Sequence, residues 1–287
     1  MVAKANTTSR SRGLGQVTAG AVTPDQILPY VTAVSGLGSR LFGQCVGHYC
    51  EGQIVLVGYP LGRPLDAATV DAAVAEALRF PGLEHITVLA AARPSAAPDG
   101  VVCREDSYWS LPLPVPAPGQ KLRNMLRRAG RDVAVTQGGA ESWGPEHTAL
   151  VQDFCSRRKL EPGLLHIFSQ LPAYLAAAPE ARLFSARLAD GTLVACAIGD
   201  YSSLSTAFYM FAFRLPVAPP GTADTLLAAV AEEGTARGHS LLNLGLGIDA
   251  GIGFFKQKWG ASPFLPCVEC GWDIKPAKKG WLARLFG

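Results

Sequence analysis

The sequence predicts an α/β protein with a mixed β-sheet that is flanked by helices. Short apolar runs rich in β-branched residues alternate with longer segments whose apolar residues recur at helical spacing. In the second half of the chain, Asp190 and Gly191 separate two strand-like segments, as in a tight hairpin. A helix that ends at Gly238 then leads back into a strand. Hairpins together with helical crossovers indicate antiparallel and parallel pairing in one sheet.

The first half of the chain has the element order of a βαβ unit. Its first helix is predicted to begin with Thr23 as N-cap and Pro24 in the first helical position. Two strands with a helix between them follow. A proline-rich segment ends this half, because proline cannot donate a ladder hydrogen bond. The elements are predicted at 23–38 (helix), 53–60 (strand), 66–80 (helix), 85–91 (strand) and 110–119 (linker or edge strand).

The second half holds the longer succession of strands and helices. A strongly basic helix opens it, and Pro145 begins the next helix. The hairpin at Asp190 and Gly191 is predicted to have a type I′ turn. A short helix with the sequence GFFKQKWG precedes the final strand. The elements are predicted at 121–131, 145–159 and 223–238 for the main helices, and at 132–136, 181–188, 192–201, 205–213, 240–248 and 263–274 for the strands.

Composition limits the class of protein. A chain of 287 residues can hold one large domain or two ordinary ones, and 48% hydrophobic against 17% charged residues supply an ample core. The net charge of +3 is too small to indicate a nucleic-acid-binding protein by itself. The first twenty residues are polar and basic without an apolar segment, so we expect a disordered tail and no signal peptide. No apolar run approaches membrane-spanning length, and we expect a cytoplasmic protein.

Three motifs carry a resemblance to a known family. They are KLRNMLRRAGRDV in the basic helix, ARGHSLLNLGLG at a helix–strand junction, and GIGFFKQKWGA before the last strand. Their order resembles the second half of the GNAT acyltransferase fold, and more closely the FemABX-like proteins, which carry two GNAT-like units. The likeness covers roughly 120–272. The resemblance implies a degenerate GNAT-like unit at 21–118 and a catalytic GNAT-like unit at 119–275, which lie between the disordered tail at 1–20 and a basic amphipathic tail at 276–287.

The resemblance also implies an activity. Proteins of this type move an acyl or aminoacyl group from acyl-CoA, acetyl-CoA or aminoacyl-tRNA to an amine on a small molecule or a lipid. In such folds one strand splays open and offers a backbone N–H to the reacting carbonyl, which by resemblance falls near Tyr209, Met210 and Phe211. The next loop and helix N-terminus would receive the donor's phosphates through Gly221 and Thr222.

The predicted phosphate loop departs from the acetyl-CoA pattern. GNAT proteins have a loop of the form Q/R-x-x-G-x-G/A, whereas this chain reads APPGTADTLL. Asp224 adds a negative charge to the first turn of the helix, where it could equally be an ordinary favourable first-turn residue. The donor therefore stays open between acyl-CoA and aminoacyl-tRNA.

Two lysines lie in the most aromatic segment of the chain. Phe255 and Trp259 are four residues apart, so they share a helix face and anchor the segment in the core. Lys256 and Lys258 would then point toward a phosphate. By resemblance, Lys256 takes the place of the family's Phe-Lys lysine, which holds the negatively charged end of the donor. The alternative is that both lysines are solvated.

The general base is left open by the sequence. His166, Asp200, Tyr209 and Asp249 are candidates for a catalytic role. Asp249 lies just past a strand end, where the sites of α/β proteins cluster, but it could equally be an ordinary turn residue. His166 stands between leucine and isoleucine, where a histidine is more often structural. Water or the substrate could also serve, so no base is required.

The basic helix could bind the phosphates of a tRNA-linked donor or an anionic acceptor. Its apolar stripe of Leu122, Met125, Leu126 and Ala129 also fits an ordinary amphipathic helix with a solvated face. The basic candidates are Lys121, Arg123, Arg127 and Arg128, with Arg131 in the same cluster.

Seven cysteines without an export signal predict no disulfide framework. Cys45 and Cys50, with His48 between them, could share a zinc ion with Cys267 and Cys270 if the two segments met. The second pair lies on a predicted strand, where residues three apart face opposite sides. We therefore expect free cysteines and no metal.

The last residues, KPAKKGWLARLFG, form a short basic amphipathic segment. Residues 278–287 could contact a membrane surface or a partner. An alternative function of a different class follows from this segment and the basic helix: a non-catalytic GNAT-fold protein that uses both as binding surfaces. The degenerate phosphate loop favours this alternative, and the Phe-Lys motif favours the enzyme.

Overall fold

The computed structural model describes residues 14–15, 17–62 and 64–274, and the predicted tail at 276–287 lies outside them. The chain forms two compact units. The larger unit contains the residues up to Gly36 together with Asp106–Leu265, and the smaller unit contains Leu37–Glu105 together with the residues from Pro266.

The helices and strands are numbered here in chain order. The helices are α1 (Leu28–Ser35), α2 (Ala67–Ala77), α3 (Gln120–Asp132), α4 (Pro145–Ser156), α5 (Pro162–Ser169), α6 (Leu171–Ala177), α7 (Thr222–Ala236) and α8 (Ala250–Lys258). The strands are β1 (Gly38–Phe42), β2 (Cys45–Cys50), β3 (Gln53–Gly58), β4 (His85–Ala90), β5 (Cys103–Pro112), β6 (Ala134–Gly138), β7 (Ala181–Arg187), β8 (Leu193–Asp200), β9 (Thr206–Arg214), β10 (Leu241–Leu246) and β11 (Ser262–Asp273).

The larger unit is built on strands in the order β5–β10–β9–β8–β7–β6. β9 and β10 are parallel, and the other neighbours are antiparallel, so the predicted mixed sheet is confirmed. Every residue of β8 is buried, because helices cover both faces of the sheet. Leu226 and Val230 of α7 pack with Phe184 on one face. Leu150 of α4 and Leu175 of α6 pack on the other.

The smaller unit has the same succession of strands and helix as part of the larger unit. Its strands lie in the order β1–β2–β3–β4–β11, with β3 and β4 parallel and α2 as the crossover between them. The hairpins β1–β2 and β2–β3 are antiparallel, as are β7–β8 and β8–β9 in the larger unit. Each unit therefore has three antiparallel strands, a helix, and a strand parallel to the third.

The chain divides differently from the predicted boundary at 118. The segment before α1 packs within the larger unit, where Asn243 Nδ2 donates to the carbonyl of Val22 at 2.8 Å. Conversely, Val268 to Asp273 of β11 pair with β4 in the smaller unit. Residues 17–20, predicted as part of a disordered tail, are also packed: Val17 is fully buried and the Ala19 carbonyl accepts a hydrogen bond. Contacts with residues that are distant in the sequence hold the N-terminal segment and β11 in these units.

Two local predictions are corrected by glycine geometry. The helix predicted at 23–38 is a short 3₁₀ turn followed by α1, which ends because Gly36 takes a left-handed conformation with φ of 68°. The β7–β8 turn is not type I′, since Gly191 alone of the pair has a positive φ. The N–H of Gly191 donates to the Leu188 carbonyl, which makes a type I turn followed by a left-handed glycine.

The prediction of no disulfide is wrong for one pair of cysteines. Cys103 and Cys270 form a disulfide bond within the smaller unit, 167 residues apart in sequence. The fold brings the start of β5 beside β11, and nothing in the spacing of the cysteines indicates this proximity. In the described part of the chain, no helix is both long and apolar enough to cross a membrane.

Candidate functional site

The parallel strands β9 and β10 separate soon after they begin. Their pairing ends at Asn243 and Phe208, so the rest of β9 has no partner on β10 in the described register. Asn243 is buried, and its side-chain oxygen accepts the N–H of Gly245 at 2.7 Å. This parting of the strands is the opening that the resemblance implies.

Met210 is the extra residue of a β-bulge at this opening. Ile198 of β8 pairs with Phe211, while Gly199 pairs with Tyr209, which leaves Met210 outside the ladder. The predicted segment Tyr209 to Phe211 therefore lies where β9 is free of β10 and irregular toward β8. A backbone of this kind can present N–H groups to a ligand.

The hydroxyl of Tyr209 is enclosed in the larger unit and has no hydrogen-bond partner among the described residues. Burial, helped by the Asp224 carboxylate and Cys196, raises the pKa of Tyr209 well above its ordinary value. A phenol with a raised pKa keeps its proton, so Tyr209 is unsuited to act as a base. It can donate a hydrogen bond.

The predicted phosphate loop at Gly221 and Thr222 lies at the start of α7 and beside α3. Thr222 is fully buried, and its N–H and hydroxyl both point to the Pro219 carbonyl, at 3.2 and 2.7 Å. A Cβ at Gly221 would lie 2.9 Å from the Met125 side chain of α3. The Thr222 N–H and hydroxyl are therefore used within the protein, and the Cα of half-buried Gly221 lies against α3.

The negative charge at the start of α7 has protein partners. Asp224 is buried, and its Oδ1 lies 2.5 Å from Lys258 Nζ and 2.8 Å from Trp259 Nε1. Lys258 also lies 3.8 Å from the sulfur of Met125. The Lys258 ammonium thus neutralises the carboxylate that distinguishes this loop from the acetyl-CoA pattern.

Lys256 is buried and donates hydrogen bonds to the carbonyls of Gly245 and Leu246 at the end of β10. Burial lowers the pKa of Lys256 to about 8, although the nearby Asp106 carboxylate raises it in part. The alternative of a solvated Lys256 does not hold, because the side chain is buried. Its role toward a donor stays a prediction.

Asp106 was missed by the sequence analysis and organises the turn that follows β10. Burial alone would raise the pKa of Asp106. Hydrogen bonds from the N–H groups of Ile248, Ser107 and Gly247, together with the Lys256 ammonium, lower it instead. Ile248 has a φ of 59°, which is unusual for a β-branched residue. Asp106 lies 141 residues from Gly247, so no local pattern could indicate this contact.

The other catalytic candidates have different surroundings. Asp249 is the N-cap of α8 and accepts the N–H of Ile252 at 2.8 Å. His166 is exposed on α5. Asp200 is fully buried and accepts a 2.5 Å hydrogen bond from Tyr174.

The basic helix α3 has the predicted amphipathic form, with Leu122 and Ala129 buried. Arg127 bonds Asn124 on the same helix at 2.6 Å. The basic side chains are all exposed and form no ion pair within the described part of the chain; they are Lys121, Arg123, Arg127, Arg128 and Arg131.

A cavity of about 300 Å³ lies where β9 ends, beside the first turn of α7. Three arginines line it, from the end of α4 and the end of β9. Arg157 bonds Asp153 and the Arg214 carbonyl, and Arg158 lies 4.3 Å above the Phe154 ring. Its lining residues are Phe154, Arg157, Arg158, Ala212, Phe213, Arg214, Pro216, Ala223 and Leu226.

The cysteine segments do not assemble a metal site. Cys270 is disulfide-bonded, Cys45 and Cys267 are buried, and Cys50 is exposed. Across residues 14–15, 17–62 and 64–274, no group of three or more His, Cys, Asp or Glu side chains could hold a metal ion.

No protein-family model matches the sequence, and no curated protein does. Solved structures do match. One is the C-terminal domain of an Agrobacterium fabrum protein named as a lysylphosphatidylglycerol synthetase, with a TM-score of 0.61, 15% identity, and coverage of 96% of this chain and 95% of that one. FemX matches with a TM-score of 0.61 and 10% identity over 97% of this chain and 98% of that one. A tandem GNAT protein from the clavulanic acid biosynthesis pathway matches with a TM-score of 0.54 and 12% identity, over 95% of this chain and 97% of that one.

These similarities establish the fold. The chain has the tandem GNAT-like, FemABX-like architecture, and the predicted fold class is confirmed.

Proposed function

We propose that the protein is an N-acyltransferase that moves an acyl or aminoacyl group from acyl-CoA or aminoacyl-tRNA to an amine. The observation that carries the proposal is the parting of β9 from β10 with a bulge at Met210. FemX and the other similar proteins share the fold, and the names of two of them describe synthetase and GNAT proteins.

The chemistry proposed for the opening uses backbone and side-chain donors. An N–H near Met210 polarises the donor carbonyl, and the acceptor amine attacks its carbon, so that a C–N bond forms. The C–S bond of a thioester, or the C–O bond of an ester, then breaks. Water carries the proton that the amine loses to the leaving sulfur or oxygen, and the Tyr209 hydroxyl is proposed to donate a hydrogen bond to it. Oriented donors of this kind are worth about 3 kcal/mol each in a dry site.

The donor's phosphates are proposed to lie in the arginine-lined cavity and not at Gly221 and Thr222. Arg158 and Arg214 bring two positive charges to the end of β9, next to the opening, while the charge of Arg157 is paired with Asp153. Arginine forks suit phosphate oxygens. Lys256 is proposed to hold the β10 side of the opening in place, and Lys258 to keep Asp224 neutralised.

Both donors carry phosphates, so the cavity alone does not choose between them. An aminoacyl-tRNA would extend onto a larger basic surface, and α3 offers one through Lys121, Arg123, Arg127 and Arg128. The acceptor is proposed to be an amine on a small or lipid-linked molecule.

A non-catalytic binding protein is the second candidate. The cover of α3 over the start of α7 favours it, because the usual anion site of the fold is filled by Thr222 and Asp224. In that case the arginine cavity and α3 would bind ligands without turnover.

The test is a calorimetric titration with acetyl-CoA, longer acyl-CoAs and free CoA, in parallel with filter binding of aminoacyl-tRNA. Arg158→Gln and Arg214→Gln should each weaken donor binding by roughly tenfold. Arg128→Gln, on the exposed face of α3, is the matched control for CoA species. Turnover is then measured as release of free CoA, or of deacylated tRNA, with a panel of amines.

Saturable binding that weakens in the cavity variants, with amine-dependent release, supports the transferase. Binding without release under any amine supports the second candidate. If no CoA species and no aminoacyl-tRNA binds, the proposed donor site is wrong.

A further inference from the structure

The solvent face of α8 and the turn before it present one large apolar side chain each. Phe254 is 70% exposed, and it is the only aromatic residue among the strongly exposed apolar side chains of the described chain. Gly251, Phe254 and Gln257 are exposed at helical spacing, so they share one face of α8. Ile248, just before the helix, is 75% exposed.

The backbone holds Ile248 outward at an energetic cost. Its positive φ is strained for a β-branched residue, and the structure sustains it with hydrogen bonds from the N–H groups of Gly247 and Ile248 to Asp106, at 3.0 and 3.1 Å. Glycine or asparagine would adopt this conformation with less strain. An isoleucine that is both strained and exposed is unexplained by packing.

A basic surface adjoins this apolar face. Lys258 at the end of α8 lies 3.8 Å from Met125 of α3, so the two helices are neighbours. Phe254 lies about one turn from Lys258. The exposed basic residues of α3, described above, face solvent without acidic partners in the described chain. Apolar side chains beside unpaired cations match an anionic membrane surface, in which the first enter the interface and the second face the headgroups.

We propose that α8, the preceding turn and α3 form a docking surface for anionic phospholipid bilayers. An RNA would engage the arginines of α3 but would gain little from an exposed aliphatic side chain such as Ile248. A bilayer uses both parts of the surface. The proposal does not depend on the transferase activity, because vesicle binding needs neither donor nor acceptor.

The test is co-sedimentation of the full chain with vesicles of phosphatidylcholine alone and of phosphatidylcholine with about one third phosphatidylglycerol. We expect binding to the anionic vesicles, reduced by high ionic strength. Phe254→Ser should lower the partition coefficient roughly tenfold. Leu204→Ser is the matched control, because Leu204 is 83% exposed in the loop between β8 and β9. The double variant Arg127→Glu/Arg128→Glu should lose about thirtyfold or more.

Ile248→Asn supplies an independent check, since asparagine accepts the left-handed conformation and removes the apolar group. It should weaken vesicle binding without lowering the melting temperature. The proposal is overturned if the wild-type protein does not bind anionic vesicles, or if Phe254→Ser and Leu204→Ser bind these vesicles equally well. It is also overturned if tRNA binding falls in the arginine variant while no variant changes vesicle binding.

Discussion

The buried ammonium of Lys256 donates hydrogen bonds to two backbone carbonyls in place of water. Its ammonium stabilises the end of β10 only because Gly245 and Leu246 turn their oxygens toward it and Asp106 lies nearby. Removing the lysine leaves those carbonyls short of a partner in a buried place, which typically costs about 1–3 kcal/mol. The two lysines of the aromatic segment are therefore different: Lys256 holds a turn, and Lys258 neutralises Asp224.

The first prediction concerns the pH dependence of this lysine. Its folded pKa of about 8 lies below the ordinary value of 10.5. Between these values the unfolded chain is protonated and the folded chain is not, so lowering the pH through this window favours unfolding. Wild type should therefore gain stability relative to Lys256→Met as the pH rises from about 8 to about 10. Urea denaturation of both proteins at several pH values measures this, and parallel curves would contradict it.

At the scale of single elements, α4 begins with a buried histidine that must stay neutral. His147 Nδ1 accepts the N–H of Gly144 at 3.1 Å, and Nε2 lies 2.9 Å from the hydroxyl of Ser185 on β7. The imidazole thus both closes the helix start and joins it to the sheet. Burial lowers the pKa of His147, with Arg187 adding to the effect and Glu146 opposing it.

The second prediction is that this helix start makes the larger unit sensitive to acid. A depressed folded pKa means that the unfolded chain takes up the proton first, so the stability contributed by neutral His147 is lost as the pH falls below about 6.5. His147→Gln should be less stable than wild type at pH 7.5 and show a shallower loss toward pH 5. His166→Gln, at an exposed position, should follow wild type. Thermal melts across this range test it.

The sequence predicts those elements whose signals are local. The helix predicted at 66–80 is present as α2 with Asp66 as its N-cap. The basic helix, the long helix ending before Gly238 and most strands also lie where periodicity predicts them. Periodicity fails for β1, which is mostly half-buried, and for β2, which is mostly buried, because neither strand alternates between buried and exposed residues. It also fails for α5, which has no buried residue. Capping and periodicity are properties of adjacent residues, and these elements depend on distant neighbours.

The sequence predicts the candidate site only in outline. The opening near Tyr209 is predicted from the resemblance to GNAT-like proteins, whereas Asp106 and the arginines at the end of β9 depend on contacts across the fold. Lys258 and Asp224 are each conspicuous in the sequence, but their pairing joins α7 to the end of α8 and has no local signature. The sequence therefore identifies the segments that carry these residues, but not the residues with which they pair.

At the scale of the whole molecule, the third prediction concerns the disulfide. Cys103–Cys270 joins chain segments that are 167 residues apart, so it restricts the unfolded chain strongly. The variant Cys103→Ala/Cys270→Ala should lose about 4 kcal/mol of stability in oxidising buffer. Reductant should destabilise wild type and leave that variant unaffected. Cys50→Ser, at an exposed free thiol, is the control, and equal melting of all three would contradict the prediction.

The pairing of β4 with β11 also determines when the smaller unit can be finished. Ala90 pairs with Val268, so a nascent chain that has already delivered four strands of this unit must wait for most of the remaining sequence to leave the ribosome. During that interval β4 exposes an unpaired edge to other chains. Slow translation or a premature stop before residue 266 would prolong this exposure. The order of synthesis therefore makes the smaller unit, and not the larger one with the opening, the part most dependent on chaperones.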